Sequence, residues 1–191
     1  MQDDAAFHAI ARLAARLKAE RESRGWAIAE LAARSGVSRA MISRVERAEA
    51  SPTAALLGRL SGAFGLTVST LLARAEGGEG RALHRAADQM LWRDPATGYL
   101  RRALTPPGAE PELVHVELPP GARVDYPAAS YALLRGQCVW LIEGALAFHE
   151  GGRIHRLAPG DCLALGPPAD CAFVNPSPDR PCRYLVALAR R

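Results

Sequence analysis

The chain has 191 residues, of which 49% are apolar and 23% charged, the balance of an ordinary globular protein with one large domain or two small ones. It holds no run approaching the roughly 18 uninterrupted apolar residues of a membrane-spanning helix, its acidic start Met1-Gln2-Asp3-Asp4 is unlike a secretory signal, and Cys138, Cys162, Cys171 and Cys182 show no Cys-x-x-Cys spacing, so a cytoplasmic protein without membrane, disulfide framework or zinc knuckle is expected. The net charge of +4 lies wholly in residues 1–75, where 11 Arg+Lys face 7 Asp+Glu, while the remaining 13 and 13 cancel, as expected if that part alone meets a polyanion.

Composition divides the chain at the same place. Before residue 76 there is one proline, Pro52, and the sequence is rich in the helix formers Ala, Leu and Arg. After it come Pro, Gly and short apolar runs, the mark of strands and turns. Ala75-Glu76-Gly77-Gly78-Glu79-Gly80-Arg81 has no apolar anchor and reads as a linker. The expected domains are therefore 7–74 and 85–191, joined by 75–84. In the first, Phe7, Ile10, Leu13, Ala14 and Leu17 recur at helical spacing and predict an amphipathic helix to about Arg24, stopped by Gly25.

Ile28 to Arg47 is the most specific segment. Leu31 and Ala32 sit in a short helix, where the methyl of Ala32 lets another helix come close. Gly36 supplies the positive φ of a tight bend, Val37 packs back into it, and Ser38 is a good N-cap for the next helix. Ile42 and Val45 then share one face, opposed to Ser43, Arg44 and Arg47. This order is that of a helix-turn-helix. Further helices are expected at Thr53–Ala63 and Ser69–Ala73.

From about Arg12 to Leu72 the chain resembles the DNA-binding domain of the XRE family, the lambda-repressor and Cro-like regulators. Leu31-Ala32, Ser35-Gly36-Val37-Ser38, Ile42-Ser43-Arg44-Val45-Glu46-Arg47, Ser51-Pro52-Thr53 and Leu66-Thr67-Val68 carry the resemblance. It implies that Ser38, Arg39, Ala40, Ser43, Arg44 and Arg47 face double-stranded DNA. Arg44 is the residue expected to contact a guanine bidentately. Arg39 would do the same or meet phosphate, and Ser38 and Ser43 would set register on phosphates. Glu46 would repel phosphate and is expected to pair with an arginine of the first helix. Ala27-Ile28 replace the family's Thr-Gln, and Ala48-Glu49 its Gly and basic residue, so weaker backbone contacts are expected.

From Leu113 onward short apolar runs alternate with turns: Val114–Leu118, Cys138–Ile142, Ala145–His149, Arg153–Leu157, Cys162–Leu165, Cys171–Val174 and Arg183–Ala189. Such a pattern predicts an antiparallel barrel or sandwich whose inside can hold a small ligand. Ala86 to Pro95 could either close this barrel or pair with a partner subunit. Pro120-Gly121, Leu141-Ile142-Glu143-Gly144, Leu157-x-Pro159-Gly160-Asp161 and Asn175 resemble the cupins. The whole is thus expected to be a two-domain α+β chain, a five-helix lambda-repressor-like domain followed by the double-stranded β-helix barrel of a cupin. The resemblance also implies where metal ligands would stand: near Tyr131, Leu133, Gln137 and Cys171. None of these is a usual cupin ligand, and Leu cannot coordinate, so no metal and no cofactor is expected.

His149 and His155 could approach across the Gly151-Gly152 hairpin, with a surface position the plainer alternative. Strand position makes Tyr131, Leu133, Gln137, Trp140, Cys171 and Phe173 the pocket candidates, with Trp140 of opposite parity to Gln137. The expected function is that of a one-component regulator, not an enzyme: a homodimer on a near-palindromic operator, responding to an unidentified small-molecule effector. Two alternatives stand beside it, a barrel that serves dimerisation alone and a cupin enzyme using Cys171 or Tyr131.

Overall fold

Regular spacing of leucine and alanine in the first 76 residues yields a bundle of five helices: α1 (Gln2–Glu22), α2 (Ile28–Ser35), α3 (Arg39–Glu46), α4 (Ala54–Ala63) and α5 (Val68–Glu76). The structure is a computed structural model and describes residues 2–76, 83–106, 109–132 and 134–190. Most of the expected linker, 77–82, therefore lies outside the described residues. Leu13 and Leu17 of α1 meet Leu31, Ile42, Val45, Leu57, Leu60 and Leu71 in one buried cluster. Each expected boundary residue has the geometry its chemistry favours. Gly36 takes φ 66° and its N–H donates to Ala32 O, and Ser38 accepts from the Met41 N–H. Thr53 caps α4 in the same way, through Leu56 N–H.

The rest of the chain forms two antiparallel sheets. The larger contains β1 (Leu91–Arg93), β2 (Leu100–Ala103), β3 (Glu112–Leu118), β5 (Leu134–Glu143), β8 (Cys162–Ala164) and β10 (Cys182–Arg190), in the order β1-β2-β3-β10-β5-β8. The smaller, in the order β4-β9-β6-β7, contains β4 (Arg123–Tyr126), β6 (Leu146–Glu150), β7 (Arg153–Leu157) and β9 (Cys171–Val174). Inward-facing Val114, Val116, Val139, Leu141, Tyr184 and Val186 of the first sheet meet Val124, Phe148 and Phe173 of the second. Phe173 stacks on Tyr184 with ring centres 5.5 Å apart and meets Phe148 edge-on at 4.8 Å. The segment Ala86 to Pro95 contributes β1, paired with β2 of the same chain, and buries Trp92. His149 and His155 do not approach each other. His155 is opposite Phe148 and His149 opposite Ile154, so the alternation of the strand puts the two rings on different faces.

Helices and barrel meet across α4. Its far side lies on a 3₁₀ turn, Ala128–Tyr131, and on β4. Two glycines one turn apart allow that approach. A Cβ on Gly58 would come within 2.9 Å of Ser130 Oγ and 3.2 Å of the Tyr126 ring, and one on Gly62 within 3.2 Å of the Ala129 carbonyl. Asp94, buried in the turn after β1, adds a polar tie: its carboxylate accepts from the Ala54 N–H at the start of α4 (3.3 Å) and from Thr97 Oγ1 (2.6 Å). Gly58→Leu is expected to lower stability by about 1–3 kcal/mol through overpacking at this junction. Urea denaturation checks it, and a curve identical to wild type would mean that α4 does not rest on the barrel.

Candidate nucleic-acid interface and barrel cavity

α3 is fixed from behind before anything faces outward. Ile42 and Val45 are buried in the bundle. Glu46 receives Arg21 bidentately, from Nε at 2.7 Å and Nη2 at 2.8 Å, while Arg21 Nη1 donates to Trp26 O at 2.8 Å. The arginine of α1 expected to neutralise Glu46 is thus Arg21. A second buried carboxylate, Glu20, is 2% exposed and collects Arg16, Arg24 and Arg74, the last at 2.8 Å, which ties α1 to α5. Arg34 lies over the Trp26 ring at 4.4 Å, and Trp26 stacks on Phe64. Much of the basic surplus of this region therefore serves the scaffold.

What faces solvent is the outer side of α3 and its cap. Ser38, Arg39, Ala40, Arg44 and Arg47 are exposed and Ser43 is half-buried, so the helix turn brings all six candidate contacts onto one accessible edge. Arg39 and Arg44 take part in no ion pair among the described residues. Arg47 is held by Ser43 Oγ at 2.7 Å and by Glu49 at 2.7 and 2.8 Å, so a phosphate would have to displace a carboxylate to reach it. Next to it Ala48 has φ 58°, where a glycine would sit without strain and an L side chain costs about 1–2 kcal/mol.

The Glu20 cluster carries a pH signature. Burial pushes its carboxyl up, but hydrogen bonds from Arg74, Arg16 and Arg24 outweigh that and hold it at about 2. Because the folded value is depressed, the stabilisation is present above the ordinary carboxyl range and disappears as pH falls from about 4.5 through about 2. Glu20→Gln is expected to cost about 2–4 kcal/mol at neutral pH, below the full figure for a buried pair because Arg74 stays part-exposed. It should also flatten the acid limb of the stability curve, and urea titrations at pH 7, 4 and 3 check both effects.

The barrel interior holds a small cavity of about 30 Å³. Tyr131, Gln137 and Phe173 line it, as expected, and so do Tyr99, Arg101, Tyr126 and Ser130. Thr67 and Val68, at the start of α5, close one wall. A larger space of about 400 Å³ lies at the barrel mouth, lined by Tyr131, Gln137, Glu150, Pro167 and Cys171. Here the Cys171 thiol donates to Tyr131 Oη at 3.5 Å. Burial pushes that thiol up to about 11, opposed by the Tyr131 hydrogen bond and aided by Glu150, Asp170 and Asp125.

Trp140 corrects the sequence expectation. It is 46% exposed on the outer face of β5, and its Nε1 donates to Gly160 O at 3.2 Å. Strand alternation turns Gln137, Val139 and Leu141 inward and Cys138, Trp140 and Ile142 outward. Leu133 lies outside the described residues. The described residues at which the cupin resemblance would set metal ligands, Tyr131, Gln137 and Cys171, are poor donors for a divalent metal. Cys171 is a protonated thiol, Tyr131 keeps its proton well above the usual phenol range because of burial, and Gln137 is a neutral amide. Among the described residues no group of three or more His, Cys, Asp or Glu could hold a metal ion.

Residues 17–71 match the family model HTH_3, Helix-turn-helix. Over 60 residues the chain is 40% identical to the HTH-type transcriptional regulator SutR of Escherichia coli strain K12, covering 31% of this chain and 34% of that one. The match therefore spans about a third of that regulator. An HTH_3 family transcriptional regulator from Vibrio cholerae is similar in fold along the whole length, with a TM-score of 0.77 at 19% identity, covering 98% of this chain and 99% of that one. The Cupin_2 domain of an XRE family transcriptional regulator from Enterobacter cloacae covers 49% of this chain and 97% of that one, with a TM-score of 0.43 at 19% identity.

Proposed function

We propose that this chain, whose residues 17–71 match the HTH_3 helix-turn-helix model, is a sequence-specific DNA-binding transcriptional regulator. It reads a near-palindromic operator as a homodimer and answers to a small molecule held in its barrel. The observation that carries the reading is the outer edge of α3: Arg39 and Arg44 exposed, on a helix anchored from behind by the Arg21–Glu46 pair. Arg44 contacts guanine, Arg39 and Arg47 meet base or phosphate, and Ser38 and Ser43 set register. Arg44→Ala is expected to weaken binding to the selected operator by about 1–3 kcal/mol, roughly 5- to 150-fold, and to relax preference at one base pair. Fluorescence anisotropy with systematically varied duplexes measures both, and unchanged affinity together with unchanged preference would remove α3 from the groove.

One α3 covers too few base pairs for a specific site, and two of them about 34 Å apart cover successive turns of duplex. The second copy is assigned to the outer face of the larger sheet. There Cys138, Trp140 and Ile142 are exposed along β5, beside half-buried Leu185 and Ala187 of β10. Trp140→Glu is expected to shift the sedimentation coefficient to that of a monomer and to weaken operator binding at least tenfold. Retention of the dimer would move the interface elsewhere.

The division proposed is a DNA-reading part at 7–74, a linker at 75–84 and a barrel at 85–191. A sensor is favoured over a barrel that only dimerises because Ser130 Oγ and Gln137 Oε1, both buried at the cavity, have no hydrogen-bond partner. Such orphans cost about 1–3 kcal/mol each in an inert core. The enzyme alternative is disfavoured by Cys171: burial, aided by the carboxylates around it, raises its pKa and so holds it as the unreactive thiol. A cytoplasmic setting follows from the DNA target, and none of the described helices is long and apolar enough to cross a membrane.

A further inference from the structure

Gln137 stands between two spaces of very different size. The small cavity behind it has room for a single water. A larger guest can lie only in front, in the space of about 400 Å³ at the barrel mouth, a size within the range of small-molecule sites. Gln137 is 7% exposed, its side-chain amide makes no hydrogen bond among the described residues, and the buried Oε1 is an acceptor without a donor.

Glu150 lines the same mouth. It ends β6 with the parity of the inward-facing Phe148, opposite Cys171 of β9. Its ion-pair contact among the described residues is His155 Nε2 at 3.9 Å, too far for a hydrogen bond. Both carboxylate oxygens lie 3.9 Å from the point that a Cβ on Gly166 would occupy, so the group reaches from the smaller sheet to the segment after β8. Leu134, Leu165, Pro167 and Pro168 make much of the remaining wall apolar. Arg135, the one cation in the described lining, is exposed and can keep its guanidinium in water. Around Cys171 the field is negative: Glu150, Asp170 and Asp125 add to burial in pushing that thiol up to about 11.

We infer that the mouth takes a primary amine on an apolar stem, its ammonium donating to Glu150 and to Gln137 Oε1 and its stem lying on Leu134, Leu165 and Pro167. This deepens the sensor reading above and rests on it. An anion would face both Glu150 and the Gln137 carbonyl. A neutral alcohol would cover the carboxylate without neutralising it. A quaternary ammonium carries the charge but has no N–H for Gln137. Tyr131 belongs both to the mouth and to the 3₁₀ turn on which α4 rests. An amine that moves this turn changes operator affinity, and operator DNA then changes amine affinity by the same factor.

The test is calorimetric titration and thermal shift of the full chain with hexylamine, beside hexanol, hexanoate and tetramethylammonium. Hexylamine should bind at least tenfold more tightly than any of the other three. Glu150→Gln should lose at least tenfold in hexylamine affinity while hexanol binds as well as before or better, a contrast that general loosening of the barrel would not give. Gln137→Leu should melt at or above the wild-type temperature, since it removes an orphan, yet bind hexylamine more weakly. Tighter binding of hexanol, hexanoate or tetramethylammonium overturns the amine assignment and leaves a sensor in place, and full hexylamine affinity in Glu150→Gln overturns it too. If none of the four binds, the amine assignment falls, and a thermal-shift screen of sugars, nucleosides and organic acids decides the wider reading: a stabilising compound keeps the sensor, and a screen without one removes it.

Discussion

α4 has almost no solvent face, and the arrangement of everything else follows from that. Ala54, Leu56, Leu57, Gly58, Leu60 and Ser61 are all buried, leaving Arg59 as the exposed exception. Burying a leucine contributes about 1.5–3 kcal/mol, so Leu56, Leu57 and Leu60 together outweigh any single polar tie in the molecule. A helix of this kind needs partners on two sides. The bundle supplies α2 and α5, and the barrel supplies β4 and the 3₁₀ turn. Gly58 and Gly62 have little helix propensity; their value lies in the space they leave for Ser130, Tyr126 and the Ala129 backbone.

Charge in the bundle divides by a similar logic. Two carboxylates, Glu20 and Glu46, are buried, and each must be compensated or it would be expelled. Between them they take Arg16, Arg21, Arg24 and Arg74. These pairs join α1 to α3 and α1 to α5, which is what holds α3 at a fixed angle. The arginines left with no ion pair on α3 are consequently at its outer edge. A surplus of +4 is small for a polyanion-binding part, but part of it is placed where a polyanion could reach: Arg39 and Arg44 are exposed and take part in no ion pair among the described residues.

Features set by short-range backbone chemistry were legible in the sequence. The Gly36 bend, the Ser38 cap and the burial of Ile42 and Val45 each depend on residues within a few positions of one another. Glu46 was legible too, because a carboxylate on a phosphate-facing helix needs an internal partner. The strands Arg153–Leu157 and Cys171–Val174 were likewise clear, being short apolar or alternating runs between glycine and proline turns. β2 and β4 were not, since Leu100-Arg101-Arg102-Ala103 and Arg123-Val124-Asp125-Tyr126 carry too few apolar residues to stand out. Missing β2 meant missing Arg101. Only its register, Arg101 opposite the inward-facing Val116, decides that this arginine and not Arg102 enters the barrel. Trp140 shows the opposite case: its parity, shared with Cys138 and Ile142 and opposite to Gln137, already points outward, and the strand keeps to it.

The ties between elements also bear on how a filled cavity would act at a distance. Val68 forms part of the cavity wall, α5 is held to α1 through Arg74 and Glu20, and α1 is held to α3 through Arg21 and Glu46. Spatial continuity of this kind does not by itself establish coupling. What matters is which connection yields first. The links within the bundle are charge-assisted pairs with buried carboxylates, whereas, among the described residues, the junction with the barrel is a glycine-faced van der Waals contact plus the Asp94 tie. The junction is the weaker of the two. Pressure from inside the barrel would thus tilt the bundle as one body about α4, moving α3 without deforming it. In a two-fold pair such a tilt changes the separation and angle of the two recognition helices, the quantity to which binding of successive major grooves is most sensitive.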